Sequence, residues 1–121
     1  EFLFFNRTVA GKLAARAFVN RLKERTVDRD VPVTIRAFLT QLKAIKTWGR
    51  SDSVDLTRIT HPTLIANGDN DRMVPSVLST DLHRRITGSR LIIYPDAGHG
   101  GIFQCHKEFA PVAVAFLREP A

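Results

Sequence analysis

Several features that would place a protein in a special class are missing from this 121-residue sequence. The single cysteine, Cys105, excludes an internal disulfide and is compatible with a reducing compartment, so we expect a cytoplasmic location. No apolar run approaches the roughly 20 residues that a membrane-spanning helix needs. The apolar start at residues 2–5 is short and lacks the basic residues of a signal peptide. Because Met73 is the only methionine and the sequence does not begin with one, we expect a longer parent protein.

The composition is that of an ordinary globular protein, with 44% hydrophobic and 25% charged residues. The net charge of +6 is uneven, because residues 1–50 hold eleven Lys and Arg against four acids, whereas residues 51–121 hold seven against eight. We interpret the basic half as solvated helix surface. Two alternatives stay open: an anion-attracting lid over a site, and a basic helical module that binds nucleic acid or acts as a non-catalytic interaction domain.

The first half of the sequence predicts two amphipathic helices. Apolar residues recur at helical spacing from Ala10 to Leu22 and again from Ile35 to Trp48. Thr34 can cap the start of the second helix, and Gly49 can end it. The polar stretch at residues 50–53 is typical of a linker, so the two helices form a first unit.

The second half changes to short apolar runs separated by helical patterns. Residues 62–67 and 91–94 predict buried strands, and residues 77–86 and 107–117 predict helices. Pro111 is compatible with the last helix only in its first turn. The order strand–helix–strand–helix predicts an α/β fold with parallel strands and a right-handed crossover.

Both predicted strands end in titratable groups. The first runs into residues 68–71, which include Asp69 and Asp71, and the second into residues 96–99, which include Asp96 and His99. Reactive groups of a parallel sheet gather at the carboxyl ends of its strands. An acid and a histidine at that edge can form a carboxylate–imidazole pair, in which the carboxylate fixes the tautomer and stabilises the imidazolium.

Two motifs in this half resemble those of the α/β-hydrolase family. Residues 62–75, Pro-Thr-Leu-Ile-Ala-Asn-Gly-Asp-Asn-Asp-Arg-Met-Val-Pro, resemble its strand–Gly-x-x-Asp–x-x-Val-Pro segment. Residues 97–100, Ala-Gly-His-Gly, resemble the Gly-His segment after its last strand. The resemblance implies that Asp71 is the triad acid and His99 the general base. It also implies a helical cap over residues 1–50 and the C-terminal part of the hydrolase core over residues 51–121.

The nucleophile of that family is missing. It stands in a Gly-x-Ser-x-Gly elbow between a strand and a helix, and the nearest match, residues 49–53, lacks the second glycine and follows a helical pattern. Ser51 is therefore not expected to act. The resemblance implies a C-terminal fragment, inactive alone, of a serine hydrolase of carboxylic esters or amides. A parent with an Asp nucleophile, acting on epoxides or haloalkanes, is an alternative.

The remaining polar residues are interpreted as structural. Asp69 can form a turn. Asp96 is the alternative acid, although it lies close to His99 in sequence for the two to face each other. No pair of potential metal ligands has the spacing of a structural zinc site, so we expect no metal and no cofactor; the candidates are Asp81, His83, Cys105 and His106. Cys105 lacks an activating base and suits a small core position. The aromatic residues Phe18, Phe38 and Trp48 are expected to pack the core of the cap, or alternatively to line its underside and touch the substrate.

The expected partners follow from this interpretation. A strand that normally pairs with the rest of a larger sheet would leave an open apolar edge. We therefore expect association with the remaining N-terminal part of the hydrolase, or self-association, besides a small-molecule substrate. Neither a membrane nor nucleic acid is an expected partner.

Overall fold

The computed structural model describes residues 4–119, and within them the chain forms five helices and two strands. The strands are β1 (Leu64–Gly68) and β2 (Arg90–Tyr94). The helices are α1 (Val9–Glu24), α2 (Ile35–Trp48), α3 (Ser76–Arg85), α4 (Gly101–Gln104) and α5 (His106–Arg118). A 3-10 turn at Leu56–Arg58 precedes β1. The predicted α/β class and the predicted order of elements are confirmed.

The two strands pair in parallel, as predicted. Leu64 lies opposite Arg90 and Gly68 lies opposite Tyr94, so both strands end at the same level. Helix α3 is the connection between them and contacts both strands. Ile65 of β1 and Tyr94 of β2 are buried, and the Tyr94 ring meets Phe109 of α5 edge to face. The loops after β1 and β2 therefore start side by side.

The helix signals in the sequence are mostly confirmed. The Thr34 hydroxyl accepts a hydrogen bond from the Ala37 N–H, and the N–H of Gly49 donates to the Ile45 carbonyl at the end of α2. Two details differ from the prediction. The glycine-rich turn already contains a helical segment, α4, and α5 begins directly after it at His106. Pro111 consequently lies beyond the first turn, where it cannot donate to the carbonyl four residues earlier.

The chain divides into two compact units. The first contains the residues up to Glu24 together with those from Leu56 onward, and it holds the sheet, α1 and the last three helices. There Phe18 of α1 packs against Phe103 of α4, with ring centroids 5.0 Å apart. We call this the sheet unit. The expected division into a cap over residues 1–50 and a core over residues 51–121 concerns a complete hydrolase and stays a prediction.

The second unit is residues 25–55 and contains α2. No residue of α2 is buried, and Ile35 and Trp48 are 79% and 73% exposed. We call this the α2 unit. Across residues 4–119, none of the helices has both the length and the apolar character that a bilayer span requires.

Candidate active site

The loops after the two strands bring Asp71 and His99 into contact. Asp71 Oδ2 lies 3.0 Å from His99 Nδ1. The Asp71 side chain is 2% exposed, whereas that of His99 is 29% exposed. The two residues singled out by the sequence therefore meet at the carboxyl edge of the sheet, the acid buried and the imidazole partly open to solvent.

The second oxygen of Asp71 is held by the backbone of its own loop. Asp71 Oδ1 accepts hydrogen bonds from the N–H groups of Met73 at 2.8 Å and Val74 at 2.9 Å. Burial by itself raises the pKa of the Asp71 carboxyl. Hydrogen bonds from Val74, His99 and Met73 together with the charge of His99 outweigh it, so that the pKa lies below its usual value. Asp71 is thus kept ionised and oriented.

The two loops are tied to each other by their backbones. The N–H of Asp69 donates to the Tyr94 carbonyl at 3.0 Å, and the N–H of Asn70 donates to the Ala97 carbonyl at 2.9 Å. The Ala97 N–H donates in turn to Asp69 Oδ1 at 3.3 Å. Asp69 therefore links the loops, in agreement with its interpretation as a structural residue. These bonds extend the pairing of the strands beyond their ends and set the distance between acid and histidine.

Gly68 permits this close approach. A Cβ atom at position 68 would lie 2.2 Å from the Ala97 carbonyl oxygen and 2.6 Å from that of Gly98. Both neighbours are backbone atoms, which cannot move aside as a flexible side chain can. The glycine of the Gly-x-x-Asp segment is therefore required because the histidine loop crosses directly over it.

The imidazole of His99 contacts the segment that precedes α1. The rings of Phe4 and His99 meet edge to face, with centroids 5.2 Å apart. The N–H of Gly100 donates to the Phe4 carbonyl at 2.6 Å. Because Nδ1–H donates to the ionised carboxylate of Asp71, the lone pair is left on Nε2. The arrangement can therefore accept a proton at His99 Nε2 from a hydroxyl or a water molecule.

Other polar candidates lie elsewhere or have other partners. Asp96, the alternative acid, has a different partner, since its Oδ2 accepts a hydrogen bond from the Thr8 hydroxyl at 3.1 Å. The Ser51 hydroxyl donates to the Trp48 carbonyl just beyond α2, not at a strand-to-helix elbow. Burial raises the pKa of the Cys105 thiol, and nearby carboxylates raise it further, so the thiolate is disfavoured. Among residues 4–119 no three His, Cys, Asp or Glu side chains form a group that could hold a metal ion.

Two buried polar residues of this region were not singled out from the sequence. Asn67 in β1 and Ser79 in α3 are 8% and 6% exposed and bond to each other. Asn67 could have been noticed in the sequence, because it is an amide at the end of an otherwise apolar strand. Nothing in the sequence distinguished Ser79 from an exposed helix serine.

A parallel sheet with an acid after one strand and a histidine after the next is the arrangement of an α/β-hydrolase. Comparisons with known proteins agree. Residues 35–121 match the sequence model of an α/β-hydrolase family described as TAP-like protein. An α/β-hydrolase fold protein from Chitinophaga pinensis superimposes on 98% of the chain with a TM-score of 0.92 and 34% identity. The chain therefore belongs to the TAP-like family of the α/β-hydrolase superfamily.

Two further relatives bear hydrolase names. The human serine hydrolase BPHL is 33% identical over 63 residues, which are 52% of this chain. A serine hydrolase involved in carbazole degradation aligns over 84% of the chain with a TM-score of 0.63, and at 23% identity it shows the fold alone. The chain spans 44% of the length of the Chitinophaga protein and 22% of that of the human enzyme.

Proposed function

We propose that this chain supplies the acid and the base of a serine hydrolase that cleaves carboxylic esters or amides. The observation that carries the proposal is the contact between Asp71 Oδ2 and His99 Nδ1 at 3.0 Å, with the other carboxylate oxygen fixed by two backbone N–H groups. A carboxylate held on both sides orients the imidazole and stabilises its protonated form. The hydrolase names of the relatives support the same reaction class.

The proposed reaction uses His99 twice. Nε2 first takes the proton of a serine hydroxyl while the serine oxygen attacks the carbonyl carbon. The proton then passes from Nε2 to the leaving alcohol or amine, and a water molecule repeats the sequence to release the acid. Asp71 orients the His99 ring and balances the imidazolium charge both when the serine attacks and when the water molecule attacks. We propose that the serine belongs to another part of the hydrolase and that the chain alone is inactive.

The proposed partner is the remaining N-terminal part of the hydrolase. Within residues 4–119 the sheet has only two strands, so its outer edges carry unpaired backbone groups. Self-association through the same edge is the competing outcome, which sedimentation of the isolated chain would reveal. A small-molecule ester or amide is the proposed substrate, and the cytoplasmic location expected from the single cysteine stays a prediction.

The proposal is tested in the complete hydrolase that carries this chain. Hydrolysis of p-nitrophenyl esters and labelling by a fluorophosphonate, which reacts only with an activated serine, are measured for the wild type, His99→Ala and Asp71→Asn. We expect both activities to fall about 10⁴-fold in either variant, since losing one member disables the triad. His61→Ala and Asp52→Asn remove an exposed histidine and an exposed carboxylate and are the matched controls.

The outcomes separate the alternatives. If the wild type neither hydrolyses the esters nor reacts with the fluorophosphonate, an Asp nucleophile is favoured. Epoxides or haloalkanes would then be the substrates to assay. Unchanged turnover in His99→Ala would overturn the hydrolase proposal. Salt-sensitive binding of DNA or RNA by the complete protein, with full activity in both variants, would favour the basic binding module.

A further inference from the structure

A buried amide lies next to the loop that carries Asp71. Every polar atom of the Asn67 side chain has a partner: Nδ2 donates to the Val74 carbonyl and to Ser79 Oγ, each at 3.0 Å, and Oδ1 accepts from the Gly68 N–H at 2.8 Å. Burying an amide is unfavourable unless its hydrogen bonds are made. An apolar residue would fill the same place in the strand without needing these partners. The three bonds therefore indicate a specific requirement for an amide here.

The turn that Asn67 reaches is the one that holds the acid. Val74 is bonded on both sides: its N–H donates to Asp71 Oδ1 at 2.9 Å, and its carbonyl accepts from Asn67. The side chains of Met73 and Val74 cannot anchor the turn by burial, because these residues are 48% and 42% exposed. The amide of Asn67 joins Val74, at the far end of this turn, to strand β1.

Ser79 fixes which way the amide points. It lies in α3, is 6% exposed, and its hydroxyl oxygen accepts from Asn67 Nδ2. With one amide hydrogen on Ser79 and the other on Val74, the side chain cannot rotate without breaking several bonds at once. The strand, the crossover helix and the acid turn are thereby joined through one side chain.

We propose that Asn67 is a positioning residue for the triad acid: through Val74 it sets the turn whose N–H groups hold Asp71 Oδ1, so that Oδ2 faces His99. Ser79 acts one step further away by orienting the amide. The inference rests on the proposed function of Asp71 and His99, although the placement of the Asp71 carboxylate can be measured without any activity.

The first measurement follows the carboxylate itself. Amide proton signals of Met73 and Val74 are recorded by NMR in the wild type, Asn67→Leu and Ser79→Ala. Leucine has nearly the shape of asparagine but cannot donate to Val74. We expect both amide signals to move upfield in Asn67→Leu, because their bonds to Asp71 lengthen, and to move less in Ser79→Ala. Thr80→Ala is the matched control, since the exposed Thr80 hydroxyl bonds only within α3.

The second measurement separates positioning from folding. In the complete hydrolase, well below the unfolding temperature, we expect kcat to fall about 10- to 100-fold in Asn67→Leu while KM changes little, because a displaced acid affects the chemical step. Ser79→Ala should lie between this variant and the wild type. If Asn67→Leu does not fold, Ser79→Ala tests the positioning role by itself. We then expect this variant to show both a loss of kcat and shifted amide signals of Met73 and Val74.

Each result has a defined meaning. Folded Asn67→Leu with unshifted Met73 and Val74 signals, or with kcat within twofold of the wild type, would overturn the positioning role. If the Met73 and Val74 signals shift in Asn67→Leu but Asp71→Asn keeps full activity, Asn67 still positions the Asp71 carboxylate, whereas the proposed function of Asp71 is refuted. A loss of stability in Ser79→Ala with unchanged kcat and unchanged signals would make the cluster structural only.

Discussion

The sheet unit and the α2 unit differ in what they bury. Among the residues of the sheet unit that the structure describes, four polar ones are buried, and each of them makes hydrogen bonds; they are Asn67, Asp71, Ser79 and Ser89. In the α2 unit the helix has an apolar stripe, yet Ile35, Phe38 and Trp48 are all more than half exposed. The sheet unit is stabilised by specific polar contacts around its loops. In the α2 unit no other part of that unit buries the apolar side of the helix.

The two units should therefore differ in how they respond to substitutions. Apolar contacts tolerate substitutions of similar volume, whereas a buried polar network loses its function when a single partner moves. We therefore expect the sheet unit to be sensitive to small changes near Asp71 and His99, and the α2 unit to be tolerant. The only tyrosine, Tyr94, lies in β2 and the only tryptophan, Trp48, lies in α2. Ring-proton NMR signals of Tyr94 therefore report on the sheet unit, and selectively excited Trp48 fluorescence reports on the α2 unit.

The largest difference is expected for two glycine substitutions. Gly68→Ala places a Cβ 2.2 Å from a backbone carbonyl oxygen, whereas at Gly49 the nearest atom is 3.3 Å away. We expect Gly68→Ala to lower the free energy of unfolding by about 3 kcal/mol or more, and Gly49→Ala to change it by less than about 1 kcal/mol. Urea unfolding followed by the Tyr94 signal measures both. Equal losses would show that the close crossing of the loops is not a constraint.

A smaller effect is expected from acid. The folded-state pKa of Asp71 is below its ordinary value of 3.8, so its contribution to stability is complete above that value and is lost as the pH falls through the lowered pKa. The free energy of unfolding should therefore fall more steeply in the wild type than in Asp71→Asn between about pH 5 and pH 2. Asp52→Asn in the α2 unit is the control. Parallel curves for the wild type and Asp71→Asn would contradict the depressed pKa.

The smallest effect is expected at the cap of α2. Thr34→Ala removes the acceptor of the Ala37 N–H and should destabilise the start of the helix by about 1 kcal/mol. Hydrogen exchange of the first α2 amides should accelerate, while the Tyr94 signal of the sheet unit stays unchanged. Thr40→Ala, which removes a hydroxyl from the middle of the same helix, is the control. Equal acceleration in both variants would argue against the cap.

Much of the fold could be predicted because its signals are local. Helical spacing, the Thr34 cap and short apolar runs depend on neighbours within a few residues, and the structure places α1, α2, β1 and β2 close to the expected bounds. The start of α5 at His106 lies within one residue of the predicted start, whereas the expectation that Pro111 lies in the first turn was wrong and the short helix α4 was not predicted. Element boundaries depend on packing as well as on propensity.

The strand ends predicted an acid and a histidine at one edge of the sheet, and the resemblance to α/β-hydrolases selected Asp71 and His99 among the residues there. The two side chains lie in contact in the structure. The supporting residues of the site could not be found in this way. Asn67 and Ser79 are twelve positions apart, and only the folding of α3 onto β1 brings them within 3.0 Å. A polar residue in a sequence does not reveal whether it faces solvent or a buried partner.

The α/β class, the parallel order and the presence of an acid and a histidine after successive strands follow from the amino-acid sequence, because each depends on periodicity and order along the chain. The folding of the chain in three dimensions provides the remaining features. It placed Gly68 under the histidine loop, ionised and oriented Asp71 through two backbone N–H groups, and left the apolar stripe of α2 exposed. These properties arise from distances between residues far apart in sequence, which no local pattern specifies.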